Sequence, residues 1–157
     1  MSKPVDRAAT HGWGSTPSQR HFISHAQALK VIDAGIKRAE AIGVPQNIAV
    51  LDPSSWLVAF VHMDNSFLGS IKKAKTVVLY NGIPNNALQN RSEPGGDLWG
   101  IQETNGGTVV FGGGQPIFDP DGYFIGAVGV SGGTVEQDID VAVHAVQSIG
   151  TTTTLSS

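Results

Sequence analysis

Two stretches of this chain carry residue types that could do chemistry. The first is Asp121-Gly122-Tyr123-Phe124-Ile125-Gly126-Ala127-Val128-Gly129-Val130-Ser131-Gly132-Gly133. Glycine weakens a strand, so glycine at every third position marks close approach of a ligand or of another backbone. The run ends in a glycine pair, and Thr134 with Gln137 signals a helix start just beyond. A strand that passes through glycines into a helix N-terminus has the form of an anion site. The plain alternative is a strand–turn–helix connection with no ligand. Glycines 112–114 form a second wall of the same kind.

The second stretch is Lys72-Lys73-Ala74-Lys75-Thr76. Lysines crowded on one helix usually form a solvated face. Lys75, however, projects close to Ile71 and Leu79, where it could hold a carboxylate as a point charge. The Thr76 hydroxyl could meet a ligand or bond back to the carbonyl four residues earlier. Asp64, beside the start of that helix, reads as a cap or a general base. Lys75 holding a carboxylate and Asp64 or a histidine moving a proton would suffice for an isomerase, tautomerase or lyase acting on a small organic acid. The five histidines, His11, His21, His25, His62 and His144, show no metal-ligand spacing, and no metal is expected. Asp52 reads as a turn-former, and Asp138 as a carboxylate set against the positive end of the last helix.

The elements that must position these groups follow from periodicity. Ser24 and Gln27 form a capping box ahead of a helix that carries Leu29, Ile32, Ile36 and Ala39 and stops at Gly43. Asn47–Leu51 and Trp56–Met63 read as a hairpin over the turn 52–55. Ser66 to about Tyr80 reads as the lysine-bearing helix, with Phe67, Ile71, Ala74 and Val78 as its apolar stripe. Residues 85–107 are irregular, and a loop of that length in a compact domain is often functional. Thr108–Phe111, Gln115–Phe118 and Tyr123–Val130 read as three further strands, and Thr134–Ile149 as the last helix. Hairpins at both ends point to an antiparallel sheet with helices laid on it, an α+β domain.

Composition narrows the classes. The chain has 157 residues, 40% apolar and 15% charged, enough for one domain with a sizeable core. A net charge of −3 with no basic stripe argues against nucleic acid as a partner. No apolar run approaches the length of a membrane span. Met1 to Arg20 has no apolar core of a leader, so a cytoplasmic location is expected. That segment reads as a mobile arm with Trp13 as its one large apolar residue, ahead of a domain over 21–150 and a tail over 151–157.

In succession, Gly112-Gly113-Gly114-Gln115-Pro116, Asp121-Gly122, Ile125-Gly126-Ala127-Val128-Gly129-Val130-Ser131-Gly132 and Glu136-Gln137-Asp138 resemble the GlcG/HbpS family. This family is also called the haem-degrading domain family and includes the C-terminal domain of PduO. Ala49-Val50-Leu51-Asp52, Met63-Asp64 and Lys73-Ala74-Lys75-Thr76 extend the resemblance over about residues 22–149. It implies a profilin-like α/β/α fold with a five-stranded antiparallel sheet. It implies a homo-oligomer, a hexamer or octamer, and a small-molecule ligand, haem or another tetrapyrrole. The family's haem-facing threonine falls on Thr76. Joined to the glycine walls, the resemblance places a ligand pocket at Thr76, Lys75, Gly113, Gly114 and Gly132, shared with a neighbouring subunit. Between Met63-Asp64 and Lys73-Ala74 the chain is about four residues shorter than GlcG, roughly one helical turn. The pocket end of that helix is therefore expected to be a turn shorter.

Overall fold

A computed structural model describes residues 20–153. The expected N-terminal arm lies outside the described residues up to position 19, Trp13 with it, as do residues 154–157. The elements run α1 (His25–Ile42), β1 (Asn47–Leu51), β2 (Leu57–His62), α2 (Ser70–Leu79), the four-residue α3 (Gln89–Ser92), β3 (Gly114–Phe118), β4 (Phe124–Ser131) and α4 (Val135–Gln147). Short 3-10 turns at Asn85–Leu88 and Ile101–Glu103 break the long connection between α2 and β3. Both expected capping boxes form. The Ser24 and Thr134 hydroxyls accept from the Gln27 and Gln137 amides, and the glutamine side chains bond back.

The sheet is antiparallel, in the order β2-β1-β4-β3. β1 is its buried spine, pairing Val50 with Ala59 on one side and with Val128 on the other. Successive side chains in a strand face opposite ways, so β1 and β4 feed two cores. On one face Ile48, Val50, Val128 and Val130 pack with Val31, Ile32, Val141 and Val146 of α1 and α4. On the other face Ala49, Leu51 and Ala127 pack with Ala74, Val77 and Val78 of α2. The α+β class, the antiparallel sheet and the three layers are as expected.

The sheet has four strands, not the five expected. The segment 108–111 is extended but joins no ladder. Thr108 gives its N–H to Gln102 O, and Val109 gives its N–H to the hydroxyl of Thr76 at 3.0 Å. The chain is thus tied to α2 by a side chain where a strand would use a neighbour's backbone. Glycines 112–114 then turn it into β3.

Helix α2 begins at Ser70, one turn later than its apolar pattern suggests. Its buried residues are Ser70, Lys73, Ala74, Thr76, Val77 and Val78, a stripe rotated from the expected one. Phe67 and Ile71, read as core, stand 69% and 42% exposed. Gly129 explains the placement. A Cβ there would lie 1.9 Å from Ser70 O and 2.7 Å from Ala74 N, so the first turn of α2 lies directly on β4. The close approach signalled by this glycine is that of a helix backbone.

Candidate functional site

Helix α2 packs chiefly on β4, β1 and β3. The α2-side face of β2 at the sheet edge is left uncovered. Leu57 and Phe60 of that strand are exposed, as are Phe67, Leu68 and Ile71 at the approach to α2 and in its first turn. Phe60, Leu68 and Ile71 of these line a pocket of about 260 Å³ together with Asn47, Gly69 and Lys72. The walls are apolar, and the polar groups cluster where α2 begins. Asn47, at the head of β1, is 1% exposed and accepts through Oδ1 a short hydrogen bond from the Ser70 hydroxyl. Its Nδ2 has no hydrogen-bond partner. Lys72 on the pocket wall donates to Gly106 O at 3.0 Å. His62 lies two residues beyond Phe60 on β2, on the same face. Its Nε2 is 3.0 Å from Ser66 O. A carbonyl only accepts, so Nε2 is the donor in this contact, and in the neutral ring Nδ1 is the acceptor nitrogen.

The residues singled out in the sequence are dispersed. Lys75 is exposed, one turn along α2 from Ile71 and Lys72. Thr76 is buried; its hydroxyl donates to Lys72 O at 2.9 Å while accepting from Val109. Asp64 is exposed on the turn ahead of α2. The space beside the three glycines is filled by the chain itself. A Cβ at Gly113 would meet Val130 O and Lys73 Nζ, at 2.5 and 2.7 Å; at Gly114, Lys73 O at 2.6 Å; and at Gly132, Pro45 O at 2.2 Å. His21 stacks on Tyr123 with ring centroids 3.8 Å apart. His144 sits by Asp140 on α4, with Nδ1 2.8 Å from its carbonyl. Among the described residues no three metal-ligating side chains gather, and no helix is long and apolar enough to cross a membrane.

What the glycines enclose is an ion pair. Lys73, read with its neighbours as solvated, is 1% exposed. Its ammonium donates to Asp138 Oδ2 at 2.7 Å and Val130 O at 2.8 Å, and lies 4.9 Å from the centre of the Phe111 ring. The other Asp138 oxygen accepts from the Gly133 N–H at 2.9 Å. Asn85 completes the wall, accepting from the Gly114 N–H at 2.7 Å. The pair ties α2 to α4 around the end of β4. Asp138 at the start of α4 was legible as structural, because a carboxylate there is favoured by the helix dipole. Lys73 was not, although its spacing from Ser70, Ala74 and Val77 is that of one helix face. Asn47 had a signal as well: it sits two and four residues before Ala49 and Leu51, both buried on the α2 side.

The family model described as "Haem degrading protein HbpS-like" matches residues 23–147. The corrinoid adenosyltransferase PduO of Salmonella typhimurium is 34% identical over 144 residues, 88% of this chain and 41% of the relative. PduO of Citrobacter freundii is 32% identical over 136 residues, 83% of this chain and 40% of its own length. The chain thus spans about two fifths of those relatives. An uncharacterized 15.0 kDa protein of Citrobacter freundii is 39% identical over 122 residues, 74% of this chain and 84% of the relative. Among solved structures, protein ORFY of Klebsiella pneumoniae superposes with a TM-score of 0.79 at 32% identity, covering 85% of this chain and 94% of that one. The PduOC:heme complex superposes with a TM-score of 0.77 at 29% identity, covering 84% and 99%. Motif succession, three-layer fold and these matches agree, and the chain belongs to the HbpS-like family.

Proposed function

We propose that this protein binds a flat, largely apolar small molecule with acidic substituents, haem or another tetrapyrrole, on the uncovered face between β2 and the first turn of α2. One observation carries the reading: Phe60, Leu68 and Ile71, 42–73% exposed, line one pocket with a lysine on its wall. Large apolar side chains scattered singly on a surface need no explanation, but a contiguous patch rimmed by polar groups marks a binding site. The pocket of about 260 Å³ falls just below the usual range for a whole small-molecule site. A planar ring would therefore seat one edge in it and lie across Phe60 and Ile71. Lys72 and, one turn on, Lys75 are cations within reach of acidic groups at the ring's edge. His62 offers Nδ1 to a metal carried by such a ring. The haem-bound state of PduOC, a relative of the same fold, supports the choice of ligand.

Thr76 and glycines 113, 114 and 132 take the supporting part. Thr76 ties Val109 to α2, Gly113 and Gly114 let the chain pass close to Lys73, and Gly132 lets the end of β4 pass close to Pro45. Titration of the purified protein with hemin, read by the Soret band, tests the proposal. Wild type should bind at micromolar concentration or tighter. Phe60→Asp should weaken binding at least tenfold, about 1.4 kcal/mol. A wild type that gives no saturable Soret change overturns the reading, as does equal binding by the variant.

A further inference from the structure

We infer that the polar end of this pocket is a carboxylate site, formed by the open N-terminus of α2 and the side-chain amide of Asn47. The inference rests on the reading of the pocket as a ligand site and names the group that the ligand places there. The first amides of any α-helix lack partners within the helix. In α2, ten residues long, the residue before the helix is Gly69; no side chain caps this end, and no acidic residue lies in the first turn. Gly69, Ile71 and Lys72, from that end of the helix, line the pocket. A helix terminus alone is weak evidence, since water satisfies most of them. Asn47 is the independent observation. It lines the same pocket, is 1% exposed, and its Nδ2 has no hydrogen-bond partner. With Oδ1 taken by the Ser70 hydroxyl, the NH₂ is the atom left to serve a ligand. A buried donor without a partner is costly, so such groups call for an explanation.

With Asn47 Oδ1 already engaged by the Ser70 hydroxyl, the polar groups left to a ligand at this end are donors or a cation: the first-turn amides, Asn47 Nδ2 and the Lys72 ammonium. The complement is an anion or another strong acceptor. The remaining wall is Phe60, Leu68 and the Ile71 side chain. Such a wall disfavours a fully hydrated ion such as phosphate and favours a carboxylate borne on an apolar body. That chemistry is shared by a tetrapyrrole's acid side chains and by a small aromatic acid.

Two titrations on the full chain test this. In the first, ¹⁵N-resolved spectra follow benzoate, methyl benzoate and inorganic phosphate. Benzoate should shift the Asn47 side-chain NH₂ and the backbone amides of residues 70–72, and the ester and phosphate should not. In the second, hemin and hemin dimethyl ester are titrated into wild type and Asn47→Leu. Wild type should favour hemin over its ester at least tenfold, and the variant should lose most of that preference. If wild type binds hemin and its ester equally, or if benzoate leaves those resonances in place, the carboxylate site is wrong while the tetrapyrrole reading stands. If neither porphyrin binds but benzoate gives the expected shifts, the tetrapyrrole reading fails and the carboxylate site survives. The wild-type comparisons decide the matter even if Asn47→Leu folds poorly.

Discussion

Lys73 shows what a single residue type conceals. Next to two exposed lysines it looks like one more solvated charge, yet it is among the largest fully buried side chains of the described residues. Desolvating two ions is expensive, and their attraction repays it only when the remaining polar atoms are also satisfied. Here they are: Lys73 donates to Asp138 and Val130 O, and Asp138 accepts from Gly133. Removing one partner should therefore cost far more than removing both. Lys73→Met is expected to lose about 3–5 kcal/mol, the usual cost of leaving a buried charge alone. The double variant Lys73→Met with Asp138→Leu should recover part of that loss. Urea unfolding of the three proteins measures it, and single and double variants of equal stability would show the pair to be inert. Thr76 was legible as a hydroxyl with two possible partners. That it ties Val109 to α2 was not, because the partner lies 33 residues away in a segment whose pattern imitates a strand.

At the scale of elements, the signals internal to one element were reliable and those needing a neighbour were not. The capping boxes at Ser24 and Thr134 fixed the starts of α1 and α4, since cap and partner lie three residues apart. β1 was legible to the residue. The start of α2 was misread because Phe67 and Ile71 extend an apolar period that the molecule leaves exposed. The glycine at position 129 was read correctly as a close approach but could not name what approached. Any side chain there meets Ser70 O, so Gly129→Ala should cost about 1–3 kcal/mol or more, as overpacking does. It should also displace the first turn of α2, weakening hemin binding along with stability; a lowered melting temperature with unchanged hemin affinity would contradict the proposed pocket. α1 and α4 are joined by Arg38, which donates to Asp140 at 2.7 and 3.2 Å. The hydrogen bond from Arg38 holds the Asp140 carboxyl below its ordinary 3.8. A lowered folded-state pKa stabilises above the unfolded value and loses that contribution as pH falls through the folded one. Both side chains are about a third exposed, so solvent screens the pair and the effect is small. Asp140→Asn should be less stable than wild type near neutral pH, and the gap should close as pH falls below the ordinary carboxylate value.

Large apolar side chains stand exposed at more than one place on the molecule. Besides the face proposed for the ligand, Trp99 is 62% exposed in the connection between α2 and β3, and Phe111 47% at its end. Asp97, Leu98, Trp99, Gly100, Ile101 and Thr104 line a second pocket of about 300 Å³. The loop is tied back on itself: Arg91 donates to Asp97 over 2.7–3.2 Å, and Leu98 donates to Arg91 O. A tryptophan held outward on such a loop is a residue type enriched at interface hot spots. If the expected homo-oligomer forms, the Trp99 loop is the surface on which a second copy of the chain would sit. One chain has a mass of 16.4 kDa. Light scattering at micromolar concentration should give a multiple of that mass, and Trp99→Ser should shift the population toward the single chain without lowering its helix content. Interface hot spots are enriched in tryptophan, and losing one costs about 2 kcal/mol or more, so a shift of at least tenfold in the association constant is expected. A wild type that runs as one copy would remove the assembly and leave Trp99 without a role; a multimer that Trp99→Ser leaves intact would move the interface elsewhere on the chain.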